Sequence, residues 1–439
     1  MKIAIIGSGI SGMAAAHALA PFHDIRLFEA GATLGGHTAT MDITHEGRDY
    51  AIDTGFIVFN DWTYPEFIRL MDSLGVESQP TRMSFSVSDR VSGIEYAGSN
   101  LDALFAQRRN LVSPRFLSMV KDILRFNAEA ETHLEKDPSS AAITLGEYLE
   151  RYRYSAAFRD LYLIPMGAAI WSSGSDAMMQ FPLRFFVQFF SNHGLLNIRN
   201  RPQWRVIKGG SRNYIGPLTS GYADRIELAN PIRRITRFTR ADGSPGVRVA
   251  SDRFTEDFDQ VVLACHSDQA LALLADVDPA EKQILSAIPY TKNSVVLHTD
   301  SRLLPRTRKC WSSWNVALDG NSYERPMLSY DMNILQGIES DTTFVVTLNQ
   351  SGEIDEKTIL GEYEYDHPVF TEEGLMAQQR WHEINGNNGT WFCGAYWRNG
   401  FHEDGVWSGL RVANGIRQLE ETGHAYFRDE QKAELAESV

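Results

Sequence analysis

The chain has 439 residues, 43% of them hydrophobic, which allows two or three ordinary domains around a substantial core. Its 42 Lys and Arg stand against 56 Asp and Glu, a net charge of −14 that repels phosphate backbones and excludes a nucleic-acid-binding protein. The three cysteines, Cys265, Cys310 and Cys393, form no CxxC pair, so neither a metal site nor a disulfide framework is expected, and a reducing compartment fits.

Met1 runs directly into a strand-like segment, leaving no room for a secretory leader. The longest nearly unbroken apolar stretch, Leu161 to Trp171, holds Pro165 and Gly167 and is too short to span a bilayer. A cytoplasmic chain is the expectation. The mostly β-branched run at residues 2–6 reads as a parallel strand buried on both faces. Gly7-x-Gly9-x-x-Gly12 follows, then a helical Met13–Ala20, and a second strand, Ile25–Phe28, closing on Glu29. The first glycine permits the turn, the second lets backbone approach phosphate, and the third lets helix and strand pack closely. Glu29 has the spacing of an acid that accepts a ribose hydroxyl, and its charge disfavours a 2′-phosphate. The double glycine Gly35-Gly36 suits an extended FAD better than NAD.

Residues 61–199 are helical in pattern, with apolar positions at helical spacing around Phe67–Met71 and Phe116–Val120. The stretch Phe181–Phe190 places Phe185/Phe189 and Phe186/Phe190 at i,i+4, either as core or as a greasy wall for a long chain. Arg184, Arg199 and Arg201 could hold an anionic head group at its rim. His193 reads as a turn residue or a catalytic one, and Trp204 as a residue of the domain junction. Strand-like runs follow at Ser294–His298 and Thr342–Leu348, and His367 precedes a proline. A sheet flooring a cavity roofed by helices is the implied shape. Near the C-terminus, Thr390–Ala395 reads as a short strand and Val406–Ala413 as a helix opened by glycine, able to aim a second helix N-terminus at a flavin. No second GxGxxG is visible, so electrons are expected to come from the substrate.

Together the two ends resemble the FAD-dependent oxidoreductases of the amine oxidase, protoporphyrinogen oxidase and phytoene desaturase superfamily. Asn230–Ile235 and Asp259–Cys265 are similar to its middle FAD segment. Phrases such as GGHTAT, DTGFIVFN, SNHGLLNIRNRPQW and GFHEDG resemble a bacterial branch of NAD/FAD-binding proteins often encoded beside cyclopropane fatty acid synthases. The resemblance implies an α/β fold: a Rossmann-type, GR2-like FAD-binding domain (1–60, 200–270 and 385–425) with an inserted α+β substrate domain (61–199 and 271–384) and a tail at 426–439. It implies FAD contacts at Gly7, Gly9, Ser11, Gly12, Glu29, Gly35, Gly36, His37 and Thr38, at Ile232, and at Gly394, Glu403, Asp404 and Gly405. Phe185, Phe189, His193 and Trp204 would line the substrate pocket.

Amine oxidases of the superfamily carry a lysine over the flavin. Here Lys292 is out of register with it and reads as a surface charge, which weakens amine oxidation. Phe401 keeps an aromatic wall, and His402 with Glu403 is the pair suited to acid–base work, unless both serve only the loop and helix cap. Ala395 stands where the superfamily has an acid for the ribityl chain, and Cys393 reads as a small buried hydrophobe. The expected function is FAD-dependent oxidation or desaturation of a hydrophobic substrate, such as a lipid acyl chain, by hydride transfer to flavin N5. Peripheral contact with the inner membrane surface would accompany it. An amine or amino-acid oxidase, a redox-neutral isomerase and a flavin-binding partner without chemistry of its own remain open.

Overall fold

The computed structural model describes residues 1–136, 143–320, 323 and 325–423. The tail expected at 426–439 lies outside the described residues.

A five-stranded parallel sheet forms the first layer, in the order Ile226–Glu227, Asp24–Phe28, Lys2–Ile6, Gln260–Leu263 and Thr390–Phe392. Lys2–Ile6, Gln260–Leu263 and the Thr390–Phe392 edge are nearly continuous buried runs because helices and a second sheet cover both faces, while Asp24–Phe28 carries the exposed Asp24 and half-buried Arg26. The opening helix, Ile10–Leu19, starts three residues before the predicted one. Gly9 serves as its N-cap, and Gly12 lies within its first turn. A three-stranded antiparallel sheet, Ile232–Thr239, Pro245–Ser251 and Thr255–Phe258, closes one side.

The second layer is a seven-stranded sheet, in the order Ile359–Pro368, Tyr290–His298, Val345–Leu348, Met327–Asp331, Trp314–Leu318, Phe85–Asp89 and Ile94–Ala97. Its last two strands come from the stretch that read as helical, while the helix Pro114–Lys136 and the shorter Ile164–Trp171 and Leu183–Asn192 stack beside it. The closing helix, His402–Thr422, begins earlier than its glycine suggested, so Gly405 falls in its first turn. It crosses the opening helix at two glycines. A Cβ on Gly405 would stand 2.6 Å from Ile10 Cγ2, and one on Gly409 2.3 Å from the Ser11 carbonyl oxygen. Among the described residues no helix is long and apolar enough to cross a membrane.

Candidate active site

A single cavity of about 2010 Å³ runs from the glycine loop at Gly7–Ser11 into the space over the seven-stranded sheet. At its first end Gly7 adopts φ +107°, and a Cβ there would lie 2.7 Å from the Ala264 carbonyl, so only glycine makes the turn. Over Gly9 there is open space within 4 Å. No side chain caps the opening helix, so its first-turn amides face the slot free to bind an anion. Glu29 borders the slot at the end of its strand, held by Ser8 N (3.0 Å), Ser8 Oγ (2.5 Å) and Gly31 N (2.7 Å), with lone pairs left over for a ribose hydroxyl. Gly35, Gly36, His37, Ile232 and Gly394 border the same slot.

Five of the predicted cofactor residues do not border it. Gly12 packs beneath the loop, where a Cβ would stand 2.0 Å from the Gly7 carbonyl oxygen. Thr38 lies behind, its hydroxyl bonded to Tyr214 and to His402 Nε2 (2.9 Å). Gly405 serves the helix crossing. Glu403 turns away from the cavity and accepts the backbone amides of Glu66 (3.0 Å) and Phe67 (2.8 Å), capping the helix Pro65–Ser73. Asp404 reaches back to the amide of Phe401 (2.8 Å) and caps its own helix. Burial drives both carboxyls up, Asp404 to about 7. His402 and Glu403, read as a pair for acid–base work or as loop and cap residues, face different neighbours, the carboxylate accepting helix amides.

His402 borders the cavity, yet its ring is stacked on Phe56 (centroids 3.6 Å, planes 10° apart), and Nε2 meets Thr38 and Tyr214 (3.2 Å). Burial, helped by His37, holds its pKa well below the ordinary value, so it is a neutral hydrogen-bonding member of the wall. Phe401 is the aromatic wall expected, stacked on Phe189 at 5.5 Å. Phe189, His193 and Trp204 border the cavity as well. Phe185 does not, because it turns to stack on Phe370 at 5.6 Å. Of the rim arginines only Arg201 borders the cavity, its Nε donating to the Asn197 carbonyl (2.6 Å).

His193 stacks on Phe189 at 3.9 Å and donates Nδ1–H to the Phe189 carbonyl (3.0 Å), which leaves the lone pair on Nε2. Burial lowers its pKa to about 4. Lys292 points to solvent and pairs with Glu364 at 2.7 Å, as read from its register. Cys393 is fully buried, and burial pushes its thiol up to about 12, so it stays a protonated hydrophobe.

One constellation escaped the sequence. His37, His266 and His367 come together at the waist of the cavity, His37 lying 5.6 Å from His367 and 6.0 Å from His266 between ring centroids. Burial lowers all three, His37 to about 3 and His367 to about 4; His367 and His266 also disfavour a proton on His37, and His266 one on His367. His266 had a weak signal, standing just past the C-terminal end of a central parallel strand, where ligands gather. His367 had none.

The model of the flavin-containing amine oxidoreductase family matches residues 10–319, well over half of the chain. The chain belongs to that family. FAD is the family's cofactor, and the open loop, uncapped helix amides and Glu29 fit it. A curated Mycobacterium tuberculosis protein, AofH, whose name places it among the flavin-containing monoamine oxidases, is 23% identical over 299 residues. That match covers 65% of this chain and 62% of that protein, so the chain spans under two thirds of the curated relative's length. Among solved structures, cyclohexylamine oxidase from Brevibacterium oxydans IH-35A is similar with TM-score 0.66 and 18% identity, covering 96% of this chain and 99% of that one. A CLA-producing fatty acid isomerase from P. acnes gives TM-score 0.65 and 17% identity, covering 95% and 98%. At these identities the structural likeness speaks for the fold, a mixed α/β architecture on a parallel sheet.

Proposed function

We propose that this family member is an FAD-dependent oxidoreductase acting on an apolar substrate, in the first instance a lipid acyl chain. The observation that carries the reading is the cavity wall beyond Phe401. Its lining includes Trp171, Phe189, Ile170, Ile123, Tyr96 and Leu335. Such a surface holds a hydrocarbon chain and excludes water from it. FAD, when bound, supplies a hydride acceptor. The protein's own part is to orient the chain and to receive a proton, and the Nε2 lone pair of His193, on the same wall, is the group free to receive one.

The encoding beside cyclopropane fatty acid synthases that the sequence resemblance implies points to unsaturated or methyl-branched acyl chains, drawn from the membrane surface. The names of AofH and cyclohexylamine oxidase favour amines instead. Against that stands Lys292, ion-paired at the surface and away from the cavity wall. A redox-neutral isomerisation uses the same wall, and the fold shared with the fatty acid isomerase supports it as the second reading.

Anaerobic mixing of the yellow holoprotein with unsaturated and methyl-branched phospholipids, and separately with primary amines, decides the matter. Loss of the visible flavin absorbance with lipids is expected. Bleaching by amines alone overturns the proposal, and a shifted double bond without net bleaching selects isomerisation.

A further inference from the structure

His367 lies on the last turn of the strand Ile359–Pro368, opposite Thr291 on the neighbouring strand. Its Nδ1 faces two side chains, Ser172 Oγ at 3.0 Å and Asn293 Nδ2 at 3.3 Å. The direction of the Asn293 bond is fixed from outside the ring, and the Ser172 hydroxyl, able to donate or accept, follows it. The Thr291 carbonyl can only accept, and Asn293 Nδ2 lies 3.0 Å from it, so the amide nitrogen of Asn293 occupies that side. Asn349 Nδ2 donates to Asn293 Oδ1 at 2.9 Å, which holds the amide in the same orientation. The second N–H of Asn293 therefore points at His367 Nδ1, and Nδ1 must accept. A neutral imidazole whose Nδ1 accepts carries its proton on Nε2.

Two further observations mark the ring as held on purpose. Ser172 closes the helix Ile164–Trp171 in the left-handed region, at φ +52°, and Asn349 stands at φ +61°. Neither is glycine, and a backbone so disposed persists where the surroundings over-determine it. The His367 ring is half-buried and borders the cavity, and among the described residues its Nε2 has no protein partner. The cofactor-side His37 lies beside it, ring centroids 5.6 Å apart.

We propose that His367 is the polar anchor of the substrate cavity: its Nε2–H, locked by the Thr291–Asn293 relay, receives a neutral oxygen acceptor, a carbonyl, on an otherwise apolar substrate. The inference rests on the apolar-substrate reading of the same cavity. A carboxylate would need a countercharge that this waist does not offer, and an ammonium brings no acceptor. The depressed basicity of His367 fits, because a ring that stays neutral keeps its Nδ1 bond to Asn293. His367 is a positioning residue. Without it a ketone loses one hydrogen bond, while an alkane of equal length loses nothing.

The test uses holoprotein labelled with nitrogen-15 in histidine. At pH 7 a long-range nitrogen–proton correlation spectrum, with the His367 signals identified by their loss in His367→Phe, is expected to show the Nε2–H form. In Asn293→Asp, where a carboxylate faces Nδ1, the proton is expected to move to Nδ1. In parallel, binding of a long-chain methyl ketone and of the matching alkane is followed by flavin absorbance shifts. The ketone is expected to bind about fivefold tighter than the alkane in wild type and equally in His367→Phe, the size of one net hydrogen bond. A wild-type spectrum showing Nδ1–H or a charged ring, or equal ketone and alkane binding in wild type, overturns the inference. If the ketone preference holds while no acyl lipid reduces the flavin, the anchor stands and the proposed reaction fails. If lipids reduce the flavin but the preference is missing, the reaction stands and the anchor fails.

Discussion

At the scale of single residues, the site is built from groups kept out of their ordinary protonation states by burial. Asp404 illustrates the consequence. Its folded pKa, about 7, lies above the ordinary carboxyl value, so its protonated form is the one the fold favours. The stabilisation is complete below pH 3.8 and is lost as pH rises through about 7. Asp404→Asn keeps a cap for the Phe401 amide without the titration. Its melting temperature relative to wild type is expected to climb between pH 5 and pH 8, by an amount worth roughly 1–3 kcal/mol. Thermal melts at the two pH values check this, and a constant difference contradicts it. The residues legible in the sequence, Gly7, Gly9 and Glu29, belong to one contiguous loop-and-strand unit whose spacing is set by local geometry. Glu403 and His402 part company because adjacent helical residues point about 100° apart. One turns to the slot and the other to the helix Pro65–Ser73. The histidines at the waist were illegible as a group because pairing between distant strands, not spacing, brings them together.

Among elements, the crossing of the opening and closing helices governs the cradle. Gly409→Ala places a methyl group 2.3 Å from the Ser11 carbonyl, a backbone atom that cannot swing aside. The helices must part. The expected cost is about 1–3 kcal/mol in thermal or urea unfolding, with a lower flavin content after purification because Ser11 borders the slot. The strand Tyr290–His298 offers a cleaner contrast. Lys292→Met removes only a solvent-facing ion pair with Glu364, so substrate-dependent flavin reduction is expected to stay within about twofold of wild type. A strong slowing in stopped-flow traces would return the protein to the amine oxidases. The alternating and helical patterns made the two faces of these elements readable. The strand Phe85–Asp89 was hidden because it pairs with a strand formed more than two hundred residues later, and Ile94–Ala97 joins the sheet only through it.

For the molecule as a whole, Asp53 is a hub between the cradle and the seven-stranded layer. Its buried carboxylate accepts Thr40 Oγ1 (2.5 Å), Ser211 N and Oγ (2.9 Å each) and Gln336 Nε2 (3.0 Å). Asp53→Ala strands several buried donors at once and is expected to cost roughly 3 kcal/mol, read as a lower unfolding midpoint. The phrase DTGF was visible as part of a resemblance, but its work joins segments that only the fold makes neighbours. The parallel sheet has a further consequence. Its edge strand Thr390–Phe392 seats against Gln260–Leu263, and the helix that follows crosses an opening helix made far earlier in the chain. The nascent protein must shelter the apolar face of the opening helix, unsealed, until the closing helix has been made, so chaperone supply rather than flavin supply is expected to set the yield of coloured product.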